Sequence, residues 1–139
     1  MPTERTLAVI KPDAVAAGDT GHIIARLEKE GFTIVVMKKL SLSDSQARAF
    51  YAVHRARPFY ESLVQFMTSG PIVPMVLERE GAIAALRDVM GATNSCEAAR
   101  GTLRSLYGTD IEKNAIHGSD APETAAAERA FFFSRLEGN

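Results

Sequence analysis

The chain has 139 residues, of which 46% are hydrophobic, so we expect one compact domain over residues 1–139 with a sizeable core. Sixteen Lys and Arg residues oppose seventeen Asp and Glu residues, which leaves a formal net charge of −1. This balance does not favour nucleic-acid binding through bulk positive charge.

Cysteine content and the first residues predict the compartment. Cys96 is the only cysteine, which excludes an intramolecular disulfide and a cysteine-only metal site. The segment MPTERTLAVIKPD lacks the basic start and long apolar stretch of a secretory signal, and no apolar run reaches the roughly 20 residues that span a bilayer. We therefore expect a soluble, cytoplasmic protein.

Runs of apolar and β-branched residues predict strands at 5–11 and 33–42 in the first part of the chain. Between them, Thr20 is a candidate N-cap for a helix with an apolar face, and Gly31 is a candidate C-terminal stop. Ser43 with Gln46 predicts a capping box for a second helix through Tyr51.

Two further helices and a strand are predicted from the middle of the chain. Pro58 is expected to open a helix in which Phe59 and Leu63 share one face. A strand at 72–78 and a helix at 82–90 follow, and then residues 91–118 form a long loop region of polar and small residues.

The last elements are predicted from one capping pattern and one apolar run. Asp120 with Glu123 is expected to cap an alanine-rich helix that ends near Arg129, and residues 130–134 to form the fourth strand. Four strands separated by helices on this scale predict an α+β sandwich of the split β-α-β type, with its helices on one face of the sheet.

Generic nucleotide and metal motifs are absent from the sequence. There is no GxxxxGK[ST], GxGxxG, HRD or DFG motif, which argues against Walker, Rossmann and protein-kinase sites. The three histidines are far apart in sequence and no HExxH motif joins them, so a protein-bound metal is not expected.

The segment NAIHGSD at 114–120 sets His117 beside a glycine, with amide, hydroxyl and carboxylate groups nearby. A neutral imidazole in such a place can act as a nucleophile, and cations elsewhere in the chain could serve a phosphoryl group. A lone histidine is more often structural, and arginines on helices are usually solvated. The residues by themselves leave both interpretations open.

Longer motifs along the chain carry a resemblance that decides between them. ERTLAVIKPDAV opens the match, and FYAVHRARPFYESLVQFMTSGPIVPMVLE, GATN, GTLR, NAIHGSD and AERAFFF follow in order. Together they cover residues 4–134, and the chain closely resembles the nucleoside diphosphate kinase family.

The resemblance implies a ferredoxin-like βαββαβ sandwich with a four-stranded antiparallel sheet and a long loop before the histidine. It also implies a ping-pong reaction, in which the γ-phosphate of a nucleoside triphosphate, mainly ATP, moves to His117 and then to a nucleoside diphosphate. Low base specificity and the maintenance of nucleotide pools are part of that expectation.

Site residues are carried over from the family one by one. The resemblance implies that Lys11 lies near the sugar and the transferring phosphate, that Tyr51 lies close to His117, and that Phe59 and Leu63 sandwich the base. Phosphate and sugar contacts are expected from Arg87, Thr93, Arg104 and Asn114. Glu128 is expected to orient the histidine through Ser119, Gly118 to allow close backbone approach, and Ser119 with Asp120 to cap the next helix.

Magnesium is expected to arrive on the phosphates, since it keeps much of its water and rarely needs a full set of protein ligands. The family also implies a homo-oligomer, either a tetramer or a hexamer with a dimer possible. Ser95 and Cys96 depart from the proline that usually follows GATN, which predicts a less rigid loop and a weaker assembly contact.

A function of another class stays open at this point. The same fold could serve as a non-catalytic nucleotide-sensing or interaction module. Phosphate labelling of the protein by ATP separates that alternative from the enzyme.

Overall fold

Four antiparallel strands form the central sheet of the computed structural model, which describes residues 2–139. The strands are β1 (Thr3–Ile10), β2 (Thr33–Met37), β3 (Val73–Glu80) and β4 (Ile116–Gly118). Their order is β2-β3-β1-β4, and each neighbouring pair is antiparallel. This order and direction confirm the predicted ferredoxin-like α+β fold.

Within the described part of the chain, seven α-helices connect and cover the strands. They are α1 (Pro12–Ala16), α2 (Thr20–Lys29), α3 (Asp44–Phe50), α4 (Tyr60–Met67), α5 (Ala82–Met90), α6 (Leu103–Tyr107) and α7 (Pro122–Phe132). Short 3₁₀ turns lie at Ala52–His54, Ser95–Glu97 and Arg135–Glu137. None of the helices within residues 2–139 has the length and apolar character needed to cross a membrane.

Helices pack on both faces of the sheet, so the prediction of helices on one face was wrong. Successive side chains of a strand point to opposite faces. Leu7 and Val9 of β1 are buried under α3, α4 and α7, whereas Ala8 and Ile10 are buried under α2 and α5. The continuous apolar run of β1 is what a strand covered on both faces requires.

The fourth strand is not where the sequence pattern put it. Residues 130–132 continue α7, and Phe133 follows the helix in an extended conformation. Ala125 and Phe132 are buried seven residues apart, which is a helical repeat, and a short apolar run cannot by itself distinguish the two periods. The strand that closes the sheet is β4, inside the segment predicted to be a loop.

Two predicted helix caps were also wrong, while others were confirmed. Asp19 occupies the N-cap of α2 and Thr20 is its first helical residue. At the start of α7, the hydroxyl of Thr124 accepts from the backbone N–H of Ala121 and donates to Asp120, in place of an Asp120–Glu123 box.

The confirmed ends are the Ser43–Gln46 capping box of α3 and the stop after α2. Gly31 there has a φ of +91°, a conformation that glycine adopts without strain. Pro58 lies just before its helix, because α4 begins at Tyr60.

Strand β4 is short but its register is fixed. Ile116 lies opposite Ile10, His117 opposite Val9, and Gly118 opposite Ala8. Alternation therefore sends His117 to the α3–α4–α7 face, and Ile116 and Gly118 to the α5 face. This register decides which helices can reach the imidazole.

Gly118 permits close packing of α5 on β4. A Cβ at this position would lie 2.8 Å from Cδ2 of Leu86 and 2.9 Å from Sδ of Met90. We expect Gly118→Ala to lower the free energy of unfolding by about 1–3 kcal/mol, because overpacking forces neighbouring side chains to shift. Thermal or denaturant unfolding measures this change.

Gly21→Ala is the matched control, since a Cβ there meets nothing within 4 Å and the residue lies in α2. It should leave stability unchanged or raise it by up to about 1 kcal/mol. Equal effects of the two substitutions would contradict the proposed packing role of Gly118.

Candidate active site

One carboxylate oxygen binds both His117 and Ser119. Oε1 of Glu128 lies 2.8 Å from Nε2 of His117 and accepts a hydrogen bond from the Ser119 hydroxyl at 2.6 Å. The His117 and Glu128 side chains are each 21% exposed, and Ser119 is buried. The carboxylate on α7 thus fixes the direction of the imidazole carried by β4.

The charge of Glu128 selects the tautomer of His117. Burial by itself would raise the pKa of this carboxyl, but the hydrogen bonds from His117 and Ser119 outweigh it and hold the pKa below its ordinary value. An ionised carboxylate only accepts hydrogen bonds, so Nε2 carries the proton. Nδ1 is then the nitrogen with a free lone pair.

Aromatic rings surround the imidazole on the α3 side. Phe50 and Tyr51 contact His117 edge-on, with ring centroids 5.5 and 6.4 Å away. The hydroxyl of Tyr51 is buried and has no hydrogen-bond partner among residues 2–139. Burial, together with the nearby charge of Glu128, raises the pKa of Tyr51, so its phenol remains a hydrogen-bond donor.

Lys11 is a buried cation at the end of β1, with 7% of its surface exposed. Burial and the charge of Arg104 lower the pKa of Lys11 to about 8, against the opposing effects of Asp13 and Glu112. When burial destabilises the charged form of a lysine, an incoming anion stabilises that form strongly.

Arg104 of α6 supports the backbone beside the histidine. Its Nη2 donates to the carbonyl of Ile116 at 2.8 Å and its Nη1 donates to that of Gly91 at 3.0 Å. Burial and the charge of Arg87 lower the pKa of Arg104 to about 10. Nε of Arg104 is buried without a partner among residues 2–139.

A cleft of about 560 Å³ brings together the three predicted phosphate contacts, Arg87, Thr93 and Arg104. Asp88 and Glu97 also line it. Arg87 and Thr93 are exposed, whereas Arg104 is buried at its base. Two guanidinium groups and a hydroxyl are suited to the oxygens of a phosphate chain.

Asn114 is buried and bonds to backbone rather than to solvent. Its side-chain amide donates to the carbonyls of Thr93 at 2.9 Å and Ile111 at 3.1 Å. Oδ1 of Asn114 is buried and unpartnered within residues 2–139. Asn114 therefore joins the cleft to the strand that carries His117. Its Oδ1 remains available to accept a hydrogen bond.

The turn before His117 was not predicted from the sequence. Ala115 is the one non-glycine residue with positive φ among residues 2–139, at +73°, and the N–H of Ile116 donates to the carbonyl of Asn114 at 2.9 Å. This is the positive-φ γ-turn, which is rare and strained. A left-handed conformation costs an alanine about 1–2 kcal/mol, and no sequence pattern signals it at a non-glycine residue.

Phe59 and Leu63 have unequal access to a ligand. Phe59 is 47% exposed, whereas Leu63 is 8% exposed and belongs to the core under the sheet. A series of ring contacts runs from Phe59 through His54 to Tyr51, with centroids 5.3 and 6.5 Å apart. Of the predicted pair, Phe59 is thus the residue whose ring is accessible to a ligand. The ring contacts connect it to the surroundings of His117.

Ser95 and Cys96 are well held in the loop. The N–H of Ser95 donates to Asp110, and Sγ of Cys96 lies 3.3 Å from the carbonyl of Thr109. Ser95 is buried and Cys96 is exposed. These contacts give the loop other fastenings in place of a proline.

Within residues 2–139, no group of three or more His, Cys, Asp or Glu side chains could hold a metal ion. The cleft combines the cations Arg87 and Arg104 and the hydroxyl of Thr93 with the carboxylates of Asp88 and Glu97.

The imidazole is oriented by a carboxylate, and it lies on a strand whose Ile116 carbonyl is bound by Arg104, a residue of the cleft. Such an arrangement is suited to a phosphotransferase. The family model for nucleoside diphosphate kinase matches residues 4–137. The chain belongs to the nucleoside diphosphate kinase family, and its activity is that of a nucleoside diphosphate kinase.

Curated relatives and solved structures agree with this family. The chain is similar to the nucleoside diphosphate kinases of Syntrophotalea carbinolica, 59% identical over 96% of this chain and 98% of that protein, and Persephonella marina, 57% over 99% and 98%. A solved Aquifex aeolicus nucleoside diphosphate kinase has a TM-score of 0.96 at 48% identity, covering 98% of this chain and 99% of its own. A Halobacterium salinarum nucleoside diphosphate kinase in complex with CDP has a TM-score of 0.94 at 41% identity, covering 98% and 91%.

The two hydrogen bonds to Glu128 lead to a prediction about charge. Glu128→Gln keeps a carbonyl oxygen for His117 and Ser119 but removes the negative charge that stabilises the Nε2–H tautomer. We expect it to slow phosphorylation of the protein by ATP about tenfold to a hundredfold. Single-turnover labelling measures the rate.

Glu123→Gln provides the matched control, because Glu123 is exposed on the same helix. It should label at the unmodified rate. A Glu128→Gln variant that labels as fast as Glu123→Gln would show that the carboxylate charge plays no part.

Proposed function

We propose that His117 is the nucleophile of this kinase and that it carries the phosphoryl group between two nucleotides. The observation that carries the proposal is the hydrogen bond between Nε2 and Glu128, which leaves the lone pair of Nδ1 available. Attack by a neutral, oriented nitrogen is what nucleophilic catalysis of phosphoryl transfer requires.

The proposed reaction has two balanced halves. The lone pair of Nδ1 forms a bond to the γ-phosphorus of the triphosphate, the bond to the bridging oxygen breaks, and the diphosphate leaves with the electron pair. A terminal oxygen of a second diphosphate then attacks the phosphorus, and Nδ1 regains its lone pair. Nε2 keeps its proton throughout and remains bonded to Glu128.

Cations and donors around the imidazole are assigned to the phosphates. Arg87, Thr93 and Arg104 share one cleft, which supports contacts to the outer phosphates. Lys11 is proposed to follow the transferring group as a point charge. The unpartnered hydroxyl of Tyr51 is a donor that a phosphate oxygen could satisfy, and Asn114 is proposed to contact the sugar.

Phe59 is proposed to stack on the base. Its exposed ring supports this role, and stacking contributes about 1–3 kcal/mol per base without selecting among bases. Leu63 is proposed to support Phe59 from the core, one helical turn away. Ile111 is 63% exposed on a loop that Glu112 fastens to α4 through Ser62, so Ile111 is the stronger candidate for the opposite side of the base.

Magnesium is proposed to enter with the nucleotide. Arg87, Arg104 and Thr93 would hold the phosphates that carry it, and the ion would supply neutralisation of their negative charge. Two arginines and a threonine hydroxyl line the cleft, and such groups are suited to the anionic oxygens of a phosphate chain.

We also propose a homo-oligomer, as a tetramer or hexamer with a dimer as the smaller alternative. Exposed apolar side chains support association, since Met37 is 50%, Leu106 54% and Leu136 100% exposed. A mass measurement in solution distinguishes these states. The single domain of residues 1–139 is proposed to balance nucleotide pools in the cytoplasm, in keeping with its lone cysteine and near-neutral charge.

Phosphate transfer from ATP tests the nucleophile. Mixed with γ-labelled ATP and magnesium, the protein should take up an acid-labile, base-stable label, since phosphoramidates hydrolyse in acid. His117→Ala should remove the label because no other residue can replace Nδ1. Gel autoradiography after acid or base treatment measures both properties.

His22→Ala serves as the control for histidine loss, since His22 is exposed on α2 and stacks on Tyr107. It should label like the unmodified chain. No label on the unmodified chain would favour a non-catalytic module, and a label that survives His117→Ala would place the nucleophile elsewhere.

The lowered pKa of Lys11 predicts the alkaline side of the pH profile. Lys11 is protonated below about 8 and loses its charge as the pH rises through that value. We therefore expect kcat/KM for the nucleotide to fall above about pH 8, because kcat/KM reports groups of the free enzyme. Steady-state rates from pH 6 to 10 measure this limb.

Lys11→Arg is the comparison, since a guanidinium keeps its charge at much higher pH. Its absolute rate should be lower because the fork has another shape, but its alkaline limb should move up by at least about one pH unit. A limb in the same place for both proteins would assign it to a different group.

A further inference from the structure

The carboxylate of Asp13 holds the strained turn in front of His117. Its Oδ2 accepts the N–H of Ala115 at 3.1 Å, across 102 residues of sequence. The carbonyl of the same alanine accepts the N–H of Lys11 at 2.8 Å. Both backbone groups of Ala115 are therefore bound by residues 11–13.

The support is rigid on the side of Asp13. This residue lies in the first turn of α1, where its carbonyl accepts the N–H of Ala17 at 3.0 Å. Lys11 is the last residue before that helix and continues β1. The two hydrogen bonds that Asp13 and Lys11 make with Ala115 form a clamp. This clamp holds Ala115 against β1, the strand with which β4 pairs.

The conformation of the turn determines the position of the His117 imidazole. Ala115 is fully buried and two residues before His117, and Ile116 between them is paired with Ile10. If Ala115 relaxed to a negative φ, the chain would enter β4 along another path. The His117 ring would then no longer be placed for attack on a phosphate. A hydrogen bond that selects the left-handed state prevents this.

The carboxylate itself is in a costly environment. Its Oδ1 is buried with no partner among residues 2–139, and burial raises the pKa of Asp13. Polar groups kept under such conditions are more frequent at functional sites than in purely structural positions.

We infer that Asp13 is a positioning residue of this active site, whose carboxylate selects the left-handed conformation of Ala115 and thereby places His117 for attack. The inference rests on the proposed role of His117 as nucleophile. It makes Asp13 act through another residue, without contact to the nucleotide.

A double-mutant cycle between positions 13 and 115 tests this role. Glycine adopts positive φ without strain, so a chain with Ala115→Gly needs the clamp much less. Asp13→Ala should slow single-turnover labelling about tenfold or more when residue 115 is alanine, and about threefold or less in the Ala115→Gly background. KM for nucleotides should change little at pH 6, because the clamp does not bind them and Lys11 stays protonated there without the charge of Asp13.

Two conservative changes separate the hydrogen bond from charge and folding. Asp13→Asn keeps a carbonyl oxygen that can accept from Ala115, so it should retain most of the labelling rate. The comparison with the unmodified chain is made at pH 6, which keeps Lys11 protonated, because the charge of Asp13 raises the pKa of Lys11. If Asp13→Ala does not fold, Asp13→Ser takes its place in the cycle, because its shorter side chain cannot reach the N–H. Thermal unfolding of each variant identifies the folded ones.

The outcomes distinguish this inference from the proposed function. An equal loss of rate from removing Asp13 in both backgrounds would overturn the clamp, as would labelling of Asp13→Ala at the unmodified rate. Failure of the unmodified chain to label would instead overturn the role of His117. Rescue confined to the Ala115→Gly background supports the clamp.

Discussion

The hydrogen bond between Glu128 and His117 is the interaction on which the site depends. It joins the last helix to a strand of three residues, and it determines which ring nitrogen keeps the proton. Ser119 uses the same carboxylate oxygen, so one acceptor orients both the strand and the following turn. Arg129, the next residue along α7, donates to the carbonyl of Arg5, which fixes the helix against β1.

The short strand β4 and the residues before it also receive hydrogen bonds from outside the sheet. Arg104 donates to the carbonyl of Ile116, and Asp13 accepts from the N–H of Ala115. The side-chain amide of Asn114 donates to backbone carbonyls of the preceding loop. Each bond comes from a different element, while the β1 ladder supplies the register. The segment around His117 is therefore bound by several elements of the fold, unlike an ordinary edge strand.

Sequence patterns predicted most elements because their periods are local. The apolar run of β1, the apolar face of α2 and the Ser43 capping box were each visible in a few residues. β4 was missed because three residues show no period, and 130–134 was wrongly predicted as a strand because its phenylalanines suit either geometry. The family motifs supplied Tyr51 and Glu128, which contact His117, and Ser119, which binds the same carboxylate. The contact of Asp13 with Ala115 and the positive φ of Ala115 involve residues far apart in the chain, and no local pattern encodes them.

If Lys11 contacts a phosphate as proposed, its buried state makes nucleotide binding depend on pH. Its pKa of about 8 belongs to the chain without a phosphate nearby, and an anion beside the ammonium would raise it. Above pH 8, binding would therefore draw a proton from the solvent, and the heat of binding would include the ionisation heat of the buffer. By reciprocity, affinity would weaken with each step in pH until the lysine no longer takes up the proton.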